Sequence, residues 1–234
     1  MRSDLYELLR SNAYPGRGIL IGCSDDGKRS VLAYFIMGRS ENSRNRVFER
    51  TGDGIRTEAF DPSKMTDPSR IIYHPVRRLG DITIATNGDQ TDTILDHLNQ
   101  GKDFHAALRT REFEPDAPNY TPRISGLAKP CGSYILSILK SAESDPDRCD
   151  RYFFEFAKAP GLGHFISTYQ CDGDPLPSFT GEPIPVSLDC SDGLEAFASE
   201  IWNALNEDNK VSLYVMSRDL ESGEISDHII NKHI

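Results

Sequence analysis

The 234-residue sequence lacks the short motifs that mark several large enzyme classes. It contains no P-loop, no dinucleotide-binding glycine fingerprint, no H-E-x-x-H pair and no G-x-S-x-G nucleophile element. Its six histidines show no spacing typical of metal ligands. These absences disfavour a kinase, a dehydrogenase and metal-dependent catalysis. We therefore expect no metal and no cofactor.

Long hydrophobic runs are also missing. No apolar run approaches the roughly 20 residues that a membrane-spanning helix needs. Acidic residues stand near the N-terminus, where a signal peptide would have its apolar core. The five cysteines are odd in number and widely spread, which favours reduced thiols over a disulfide framework. We expect a cytoplasmic protein with no membrane partner.

Basic residues are scarce relative to acidic ones. The chain has 26 Lys and Arg against 36 Asp and Glu, a formal net charge of −10. Such a balance argues against nucleic acid as the main partner, because that affinity comes largely from neutralising many phosphates. It remains compatible with a local basic pocket for one small anion. With no internal repeat and no convincing linker, we predict a single domain over residues 1–234, with residues 1–13 as an N-terminal helical extension.

Hydrophobic periodicity predicts a mixed fold. A short amphipathic helix is expected at residues 3–12 with Ser3 as its N-cap, followed by a hairpin of strands 18–23 and 31–37 around an Asp-Gly turn. Further strands are expected at residues 55–60, 70–76, 81–85, 133–140, 152–157, 164–170 and 211–217, and helices at 91–99, 103–112 and 191–205. Residues 114–123 and 171–186 are expected to be loops and the tail is polar.

The order of these elements indicates the fold class. The hairpin strands are apolar almost continuously, so we expect both of their faces to be covered. Strands gathered into two blocks, with helices between and after them, favour an α+β fold of two stacked sheets with helices outside. Continuous apolar strands also favour a homo-oligomer.

A basic loop follows the second strand of the hairpin. Residues 37–46 contain Arg39, Arg44 and Arg46 together with two asparagines. A planar guanidinium matches phosphate or carboxylate oxygens bidentately, so this concentration at a strand end predicts an anion site. The alternative interpretation is a solvated loop that carries a few charges.

Three other segments combine polar groups suited to a small-molecule site. Tyr73 interrupts an apolar run and is either a hydrogen-bond donor in a pocket or part of a half-buried strand. The strand end at Asn87 and Gly88 leads directly into a helix, as in an anion site or a simple N-capped turn. The loop of residues 113–124 carries a carboxylate, an amide, a hydroxyl and a guanidinium among three prolines, as in a binding loop or a loop held by its own bonds.

Taken in this order, the segments resemble the archaeal-type IMP cyclohydrolase family, which closes the purine ring in the last step of IMP synthesis. The resemblance covers residues 14–127. It is carried by Tyr14-Pro15-Gly16-Arg17-Gly18, Gly38-Arg39-Ser40, Asn45-Arg46, Tyr73, Thr86-Asn87-Gly88 with Thr91-Asp92, Glu114, and Thr121-Pro122-Arg123-Ile124. Two features depart from the family's usual form: a helix precedes the first strand, and the loop between Arg39 and Arg46 is longer.

The resemblance implies a fold and a reaction. The fold is a four-layer αββα sandwich like that of N-terminal-nucleophile hydrolases, used without an N-terminal nucleophile. The reaction is the cyclohydrolase reaction at a cyclic amidine C–N bond, which converts 5-formamidoimidazole-4-carboxamide ribonucleotide to IMP and water. The implied partner is therefore a purine nucleotide.

The resemblance also implies residue roles. The implied catalytic residues are Tyr73, Glu114 and Arg39, with Tyr73 as donor and Glu114 as base. The implied substrate-binding residues are Arg39, Ser40, Asn45, Arg46, Asn87, Gly88, Thr91, Asp92, Asn119, Thr121 and Arg123. Two alternatives remain: an amidohydrolase of the same architecture, which needs a processed nucleophile, and a non-catalytic module that binds purine nucleotides.

Overall fold

The computed structural model describes residues 2–64 and 72–233. The described α-helices are α1 (Leu5–Ser11), α2 (Glu41–Arg44), α3 (Gln90–Asn99), α4 (Phe104–Arg109) and α5 (Leu194–Ala204). The described strands are β1 (Arg17–Cys23), β2 (Arg29–Met37), β3 (Arg46–Arg50), β4 (Gly54–Ala59), β5 (Val76–Leu79), β6 (Ile82–Thr86), β7 (Arg123–Ala128), β8 (Tyr134–Ser141), β9 (Cys149–Phe156), β10 (Leu162–Ser167), β11 (Ile184–Ser187), β12 (Lys210–Asp219) and β13 (Ile225–Asn231). No helix of the described residues has the length and apolarity needed to cross a bilayer.

The strands form two antiparallel sheets. One sheet has six strands in the order β11-β10-β1-β2-β12-β13, and the other has seven in the order β3-β4-β5-β6-β7-β8-β9. The α+β class and the two sheets predicted from the sequence are confirmed. Neighbours in the seven-stranded sheet are also neighbours in the chain, whereas β1 and β2 lie at the centre of the six-stranded sheet between strands from the C-terminal half.

Three apolar clusters show how the layers pack. Helices α1 and α5 cover one face of the six-stranded sheet, with Leu9 and Ile201 against Phe35. A second cluster lies between the two sheets, and a third joins α3 and α4 to the outer face of the seven-stranded sheet. Helices therefore lie outside both sheets.

The β1–β2 hairpin has the burial expected from its composition. Ile19 and Ile21 face the other sheet, whereas Leu20 faces the helices, so alternate side chains enter two different cores. A strand covered on both faces must be apolar throughout, which explains its continuous hydrophobic run. Gly27 adopts φ +73° at the connecting turn, as the Asp-Gly signal predicts.

Several sequence-based expectations about elements were wrong. The N-cap of α1 is Asp4 rather than Ser3, because the Asp4 carboxylate accepts hydrogen bonds from the backbone amides of Tyr6 and Glu7. The predicted loop 37–46 contains the helical turn α2, and the predicted loop 171–186 ends in the first residues of β11. Strand β13 stands where a polar tail was expected, and β3 and β7 were not predicted.

The strand predicted at residues 70–76 lies partly outside the described residues. Residues 70 and 71 cannot be compared with the prediction, and the described part from residue 72 to 75 is not a strand. Strand β5 begins at Val76 and continues to Leu79. Tyr73 still joins the sheet locally, because its backbone carbonyl accepts a hydrogen bond from the amide of Thr57 at 2.9 Å.

Candidate functional site

Several loops meet at one end of the two sheets. Arg17 at the start of β1 is paired with Ile36 near the end of β2, and Gly18 is paired with Ser167 at the end of β10. The antiparallel register therefore brings the start of β1 and the segments that follow β2 and β10 to one edge. The loop that precedes β7 meets them there, because Thr121 contacts Tyr169.

A cavity of about 300 Å³ lies at this edge, and we call it the arginine cavity. Its lining residues are Tyr14, Arg17, Arg39, Ser40, Asn42, Ser43, Arg46, Glu114, Asp116, Asn119, Thr121, Tyr169 and Leu176. Three guanidinium groups line it, in a chain whose net charge is −10. The size is at the lower end of the range for small-molecule sites, roughly 300–1,000 Å³.

Arg17 presents to the arginine cavity a guanidinium without a hydrogen-bond partner among the described residues. Its Nε atom is buried without a hydrogen-bond partner, and no described residue accepts a hydrogen bond from its guanidinium. Burial acts to lower the pKa of Arg17, but attraction to Tyr14, Tyr169, Tyr73 and Glu114 outweighs it and the pKa is raised. A buried charged donor without an acceptor is costly, so this group is positioned for an anionic or polar ligand.

Arg46 lies beside Arg17 and is 1 % exposed. Its Nε donates to the carbonyl of Ser43 at 2.8 Å and its Nη2 donates to the carbonyl of Met37 at 3.3 Å. Burial, and then the charge of Arg17, lower the pKa of Arg46. Arginine keeps its proton at neutral pH even so, and two neighbouring cations therefore attract an anion.

Tyr73 belongs to a buried hydroxyl pair next to these arginines. Its hydroxyl is 2.9 Å from that of Tyr34 on β2, and either oxygen is able to donate. Burial, and then Tyr73, raise the pKa of Tyr34 well above its ordinary value, so Tyr34 is a neutral phenol at neutral pH. One proton serves the bond between the two hydroxyls, and the other is available to a neighbouring acceptor.

A directional hydrogen-bond chain fixes the proton of Tyr169. Thr121 Oγ1 lies within hydrogen-bond distance of the Asp116 carboxylate and 2.6 Å from the Tyr169 hydroxyl. An ionised carboxylate only accepts, so the Thr121 hydroxyl donates to Asp116 and accepts from Tyr169. Burial raises the pKa of Tyr169 to about 12, against the opposing charge of Arg17. The Tyr169 phenol therefore has only its acceptor lone pairs left for a ligand.

Arg39 and Ser40 line the more open side of the arginine cavity. The Arg39 guanidinium forms an ion pair with Asp172 at 2.7 Å and lies 5.1 Å from the centre of the Tyr14 ring. Ser40 is the N-cap of α2, and its hydroxyl accepts a hydrogen bond from the Ser43 amide. The longer loop noted in the sequence is thus ordered by a capping box, which turns Asn42 and Ser43 toward the cavity.

Glu114 and Asn119 come from the same rigid loop. The Glu114 amide donates to the carbonyl of Thr121 at 2.9 Å, and Glu114 interacts electrostatically with Arg17. A Cβ atom built on Gly88 would lie 3.6 Å from Oε1 of Glu114, so the carboxylate reaches the β6–α3 turn. The Asn119 side-chain oxygen accepts a hydrogen bond from the amide of Leu176 at 3.0 Å, which joins the two loops across the cavity.

Five predicted binding residues lie in or beside the neighbouring β6–α3 turn rather than in the cavity wall: Asn87, Gly88, Thr91, Asp92 and Arg123. Asn87 accepts from the Ile124 amide and donates to the Pro122 carbonyl, and Thr91 bonds to Thr86 at 2.6 Å. Asp92 forms an ion pair with Arg77 at 3.0 Å. These contacts make the turn a structural support for the loop that carries Glu114.

Arg123, the first residue of β7, joins that strand to the start of α3. Its Nη1 donates to Asp89 at 2.8 Å and to Gln90 at 2.7 Å, while its Nε is buried without a partner. A Cβ atom on Gly88 would approach Arg123 Nη1 to 2.6 Å, so a larger residue there would displace the end of the Arg123 side chain. Arg123 is therefore placed behind Glu114, where it orders the turn.

Asn45 faces away from the arginine cavity. Its Nδ2 donates to the carbonyl of Asp61 at 2.8 Å, and its Oδ1 accepts from the amide of Asp61 at 2.7 Å. The side chain is 7 % exposed and fastens the start of β3 to the end of β4. Its two amide atoms are thus committed to the protein backbone.

Seven residues that line the cavity were not among the predicted site residues: Tyr14, Arg17, Asn42, Ser43, Asp116, Tyr169 and Leu176. Arg17 and Tyr14 stand in the first motif of the family resemblance, so a signal for both was present. Tyr169 stacks on Tyr14 with ring centroids 5.9 Å apart, and nothing near it in the sequence indicates this role. Gly16 at φ +77° permits the contact, because a Cβ atom there would lie 2.5 Å from the Tyr169 ring.

No group of three or more His, Cys, Asp or Glu side chains within residues 2–64 and 72–233 is arranged to hold a metal ion. The chemistry that the cavity offers comes from guanidinium, phenol, hydroxyl and carboxylate groups. Such a set binds an anionic ligand, stabilises a developing negative charge and transfers protons.

Comparison with known proteins decides the family. The family model described as IMP cyclohydrolase-like protein matches residues 14–223. The chain belongs to this family. The match extends well beyond residue 127, where the resemblance in the sequence motifs ends, and it includes every residue that lines the arginine cavity.

Individual relatives of this chain are named IMP cyclohydrolase. An IMP cyclohydrolase of Methanococcus aeolicus is 28 % identical over 162 residues, which cover 68 % of this chain and 75 % of the relative. IMP cyclohydrolases of Methanococcus maripaludis and Methanopyrus kandleri are 33 % and 34 % identical, each over 67 % of this chain and 75 % of the relative.

Proposed function

We propose that this protein catalyses the closure of 5-formamidoimidazole-4-carboxamide ribonucleotide to IMP with loss of water. Family membership and the names of the relatives support this reaction. The structural observation that carries it is the guanidinium of Arg17, whose buried Nε has no hydrogen-bond partner, beside Arg46 and Glu114. A metal ion and a cofactor have no part in the proposal.

Ring closure requires no covalent intermediate between substrate and protein. The carboxamide nitrogen attacks the formyl carbon of the same molecule, the formyl oxygen takes up negative charge and then a proton, and the adduct loses water. Since nucleophile and electrophile are tethered, the protein must hold them close, stabilise the oxyanion and move protons.

The substrate is oriented by the difference between the two sides of the arginine cavity. A phosphate keeps part of its hydration on the open side, where Arg39 and Ser40 bind it. The reacting groups lie at the buried side near Arg17 and Arg46, where a charge is stabilised more strongly because water is excluded. Tyr169, which offers only an acceptor, receives a hydrogen bond from an N–H group of the substrate.

We assign the proton transfers to Glu114 and Tyr73. Glu114 removes the proton from the attacking nitrogen, and Tyr73 donates to the formyl oxygen while Tyr34 donates to Tyr73. Asn119 and Thr121 position these groups through the loops. Asn87, Gly88, Thr91, Asp92 and Arg123 support the Glu114 loop from behind, and Asn45 acts through the start of β3.

The architecture supports a further proposal about the type of fold. Helices outside two stacked antiparallel sheets correspond to the αββα arrangement of N-terminal-nucleophile hydrolases. Here the first strand begins with Arg17, whose nitrogen is part of a peptide bond to Gly16. The arginine thus stands at the strand position where a nucleophile with a free amine would be needed. The single domain, the cytoplasmic location and the homo-oligomer remain predictions.

Incubation of the protein with the formamido ribonucleotide in the presence of EDTA tests the function. We expect IMP to form, followed by its ultraviolet absorbance, at a rate far above that with heat-denatured protein. Release of formate without IMP would identify an amidohydrolase instead. Saturable IMP binding with no product of either kind would identify a non-catalytic binding module.

Replacement of Tyr73 by phenylalanine tests the proton donor. We expect kcat to fall by about 100-fold, the lower end of the range for a general acid, because the formyl oxygen loses its donor. The matched change Tyr34→Phe leaves the Tyr73 hydroxyl in place and should cost less than about tenfold. Rates from initial-velocity measurements compare the two variants, and equal losses in both would remove Tyr73 from the donor role.

A further inference from the structure

A second cavity lies on the other side of α2. It has a volume of about 710 Å³ and is formed where α2, the end of β4 and the segment after β13 come together, and we call it the lysine cavity. Glu41 and Arg44 of α2 face the lysine cavity, whereas Asn42 and Ser43 face the arginine cavity. The two cavities are therefore separate sites with one helical turn as a common wall.

Two cations of the lysine cavity form no ion pair within the described residues, although the pKa of Glu207 is lowered by its ion-pair partner Lys210 and also by the charge of Lys232. Arg44 donates from Nε to the carbonyl of Gly38 at 2.9 Å and from Nη2 to the amide oxygen of Asn209 at 3.2 Å. Lys232 donates to the backbone carbonyl of Glu207. Neutral oxygens satisfy these donors without cancelling their charge. The lining acids are Glu41, Asp61 and Asp208, of which Glu41 is paired with Lys64 at 3.5 Å.

The lysine cavity also holds an exposed aromatic stack. The rings of Phe60 and His233 lie 4.7 Å apart at an interplanar angle of 22°. Phe60 is 47 % exposed, one of only two large hydrophobic side chains in the described parts of the chain with such exposure. A partly exposed stack of two flat rings presents a π surface on which another flat ring is able to pack.

We propose that the lysine cavity binds a nucleoside monophosphate, with its base against the Phe60–His233 stack and its phosphate between Arg44 and Lys232. The two cations supply the anion recognition, and the stack supplies the recognition of a planar ring. The cavity volume lies within the range for small-molecule sites, about 300–1,000 Å³. The proposal is independent of the reaction assigned to the arginine cavity, because it uses none of the residues that line that cavity.

Calorimetric titration with AMP tests the second site. The Arg17→Ala variant removes a cation from the arginine cavity only, so we expect it to keep one saturable AMP site. Phe60→Ala and Lys232→Gln should each weaken that site at least tenfold in the same background. Tyr152→Ala, which alters the other exposed large hydrophobic side chain at 43 % exposure, should leave AMP binding unchanged.

Ribose 5-phosphate, which lacks the base, separates the two contributions. We expect it to bind more weakly than AMP and to be affected by Lys232→Gln but not by Phe60→Ala. The proposal is overturned if AMP does not bind at millimolar concentration, or if its binding is lost in Arg17→Ala and unaffected by Phe60→Ala. No turnover is measured, so the result stands whether or not the chain closes the purine ring.

Discussion

Replacing Arg17 with alanine is expected to lower kcat/KM for ring closure by about a thousandfold or more. The loss of one neutral oxyanion donor in an enzyme costs about 10²–10³ in kcat, and charged donors are roughly twice as strong. Arg17 is half-buried at the cavity wall and its guanidinium gives no hydrogen bond to any described residue, so the guanidinium is available to the substrate. Initial rates of IMP formation measure the effect.

The same variant should keep its stability. The buried Nε without a partner costs folding free energy, and the attraction that raises the pKa of Arg17 offsets this cost, so removal of the side chain breaks no hydrogen bond of the guanidinium and should change stability little. We expect the midpoint of thermal unfolding of Arg17→Ala to lie close to that of the wild type. A loss of activity together with a large fall in this temperature would assign Arg17 a structural role.

Two further arginine variants make the comparison specific. Arg17→Lys keeps the charge but loses the planar fork, so we expect it to recover only part of the activity. Arg50→Ala removes an arginine that is paired with Asp227 and does not line the cavity. The Arg50 side chain is 56 % exposed, and this variant should leave the rate unchanged. If Arg17→Ala changes KM alone, Arg17 binds the substrate phosphate and does not stabilise the oxyanion.

The central hairpin of the fold was predictable because its signals are local. The apolar residues of β1 and β2 and the Asp-Gly turn between them lie within one short stretch of sequence. Strand β13 was missed for the opposite reason. It is an edge strand with Asp227 and His228 among its isoleucines, and only its pairing with β12 makes it a strand.

The candidate site was predictable only in part, for a related reason. The arginine-rich loop and Glu114 stand out as polar groups in otherwise ordinary stretches. Arg17 begins an apolar strand, and its neighbour Tyr169 lies 152 positions away, so their contact depends on the pairing of β1 with β10. Asn45 shows how tertiary contacts escape a local pattern, because the pattern predicts a ligand contact while the fold uses its amide to hold Asp61.

The second large effect is expected for Glu114→Gln. A general base contributes about 10²–10⁴ to the rate, so kcat should fall by at least about 100-fold. KM should change little, because glutamine has nearly the same size and the Glu114 loop is held through its backbone and through Asp116. Steady-state kinetics separate the two parameters.

The pH dependence distinguishes a base from a group that only orients Arg17. If Glu114 is the base, the wild-type rate falls at low pH as its carboxylate takes up a proton, and this fall is absent in Glu114→Gln. Asp116→Asn is the matched control, since it alters a carboxylate of the same loop that bonds to Thr121 rather than to the substrate. A Glu114→Gln variant that keeps both the acid limb and most of the rate would place the base elsewhere.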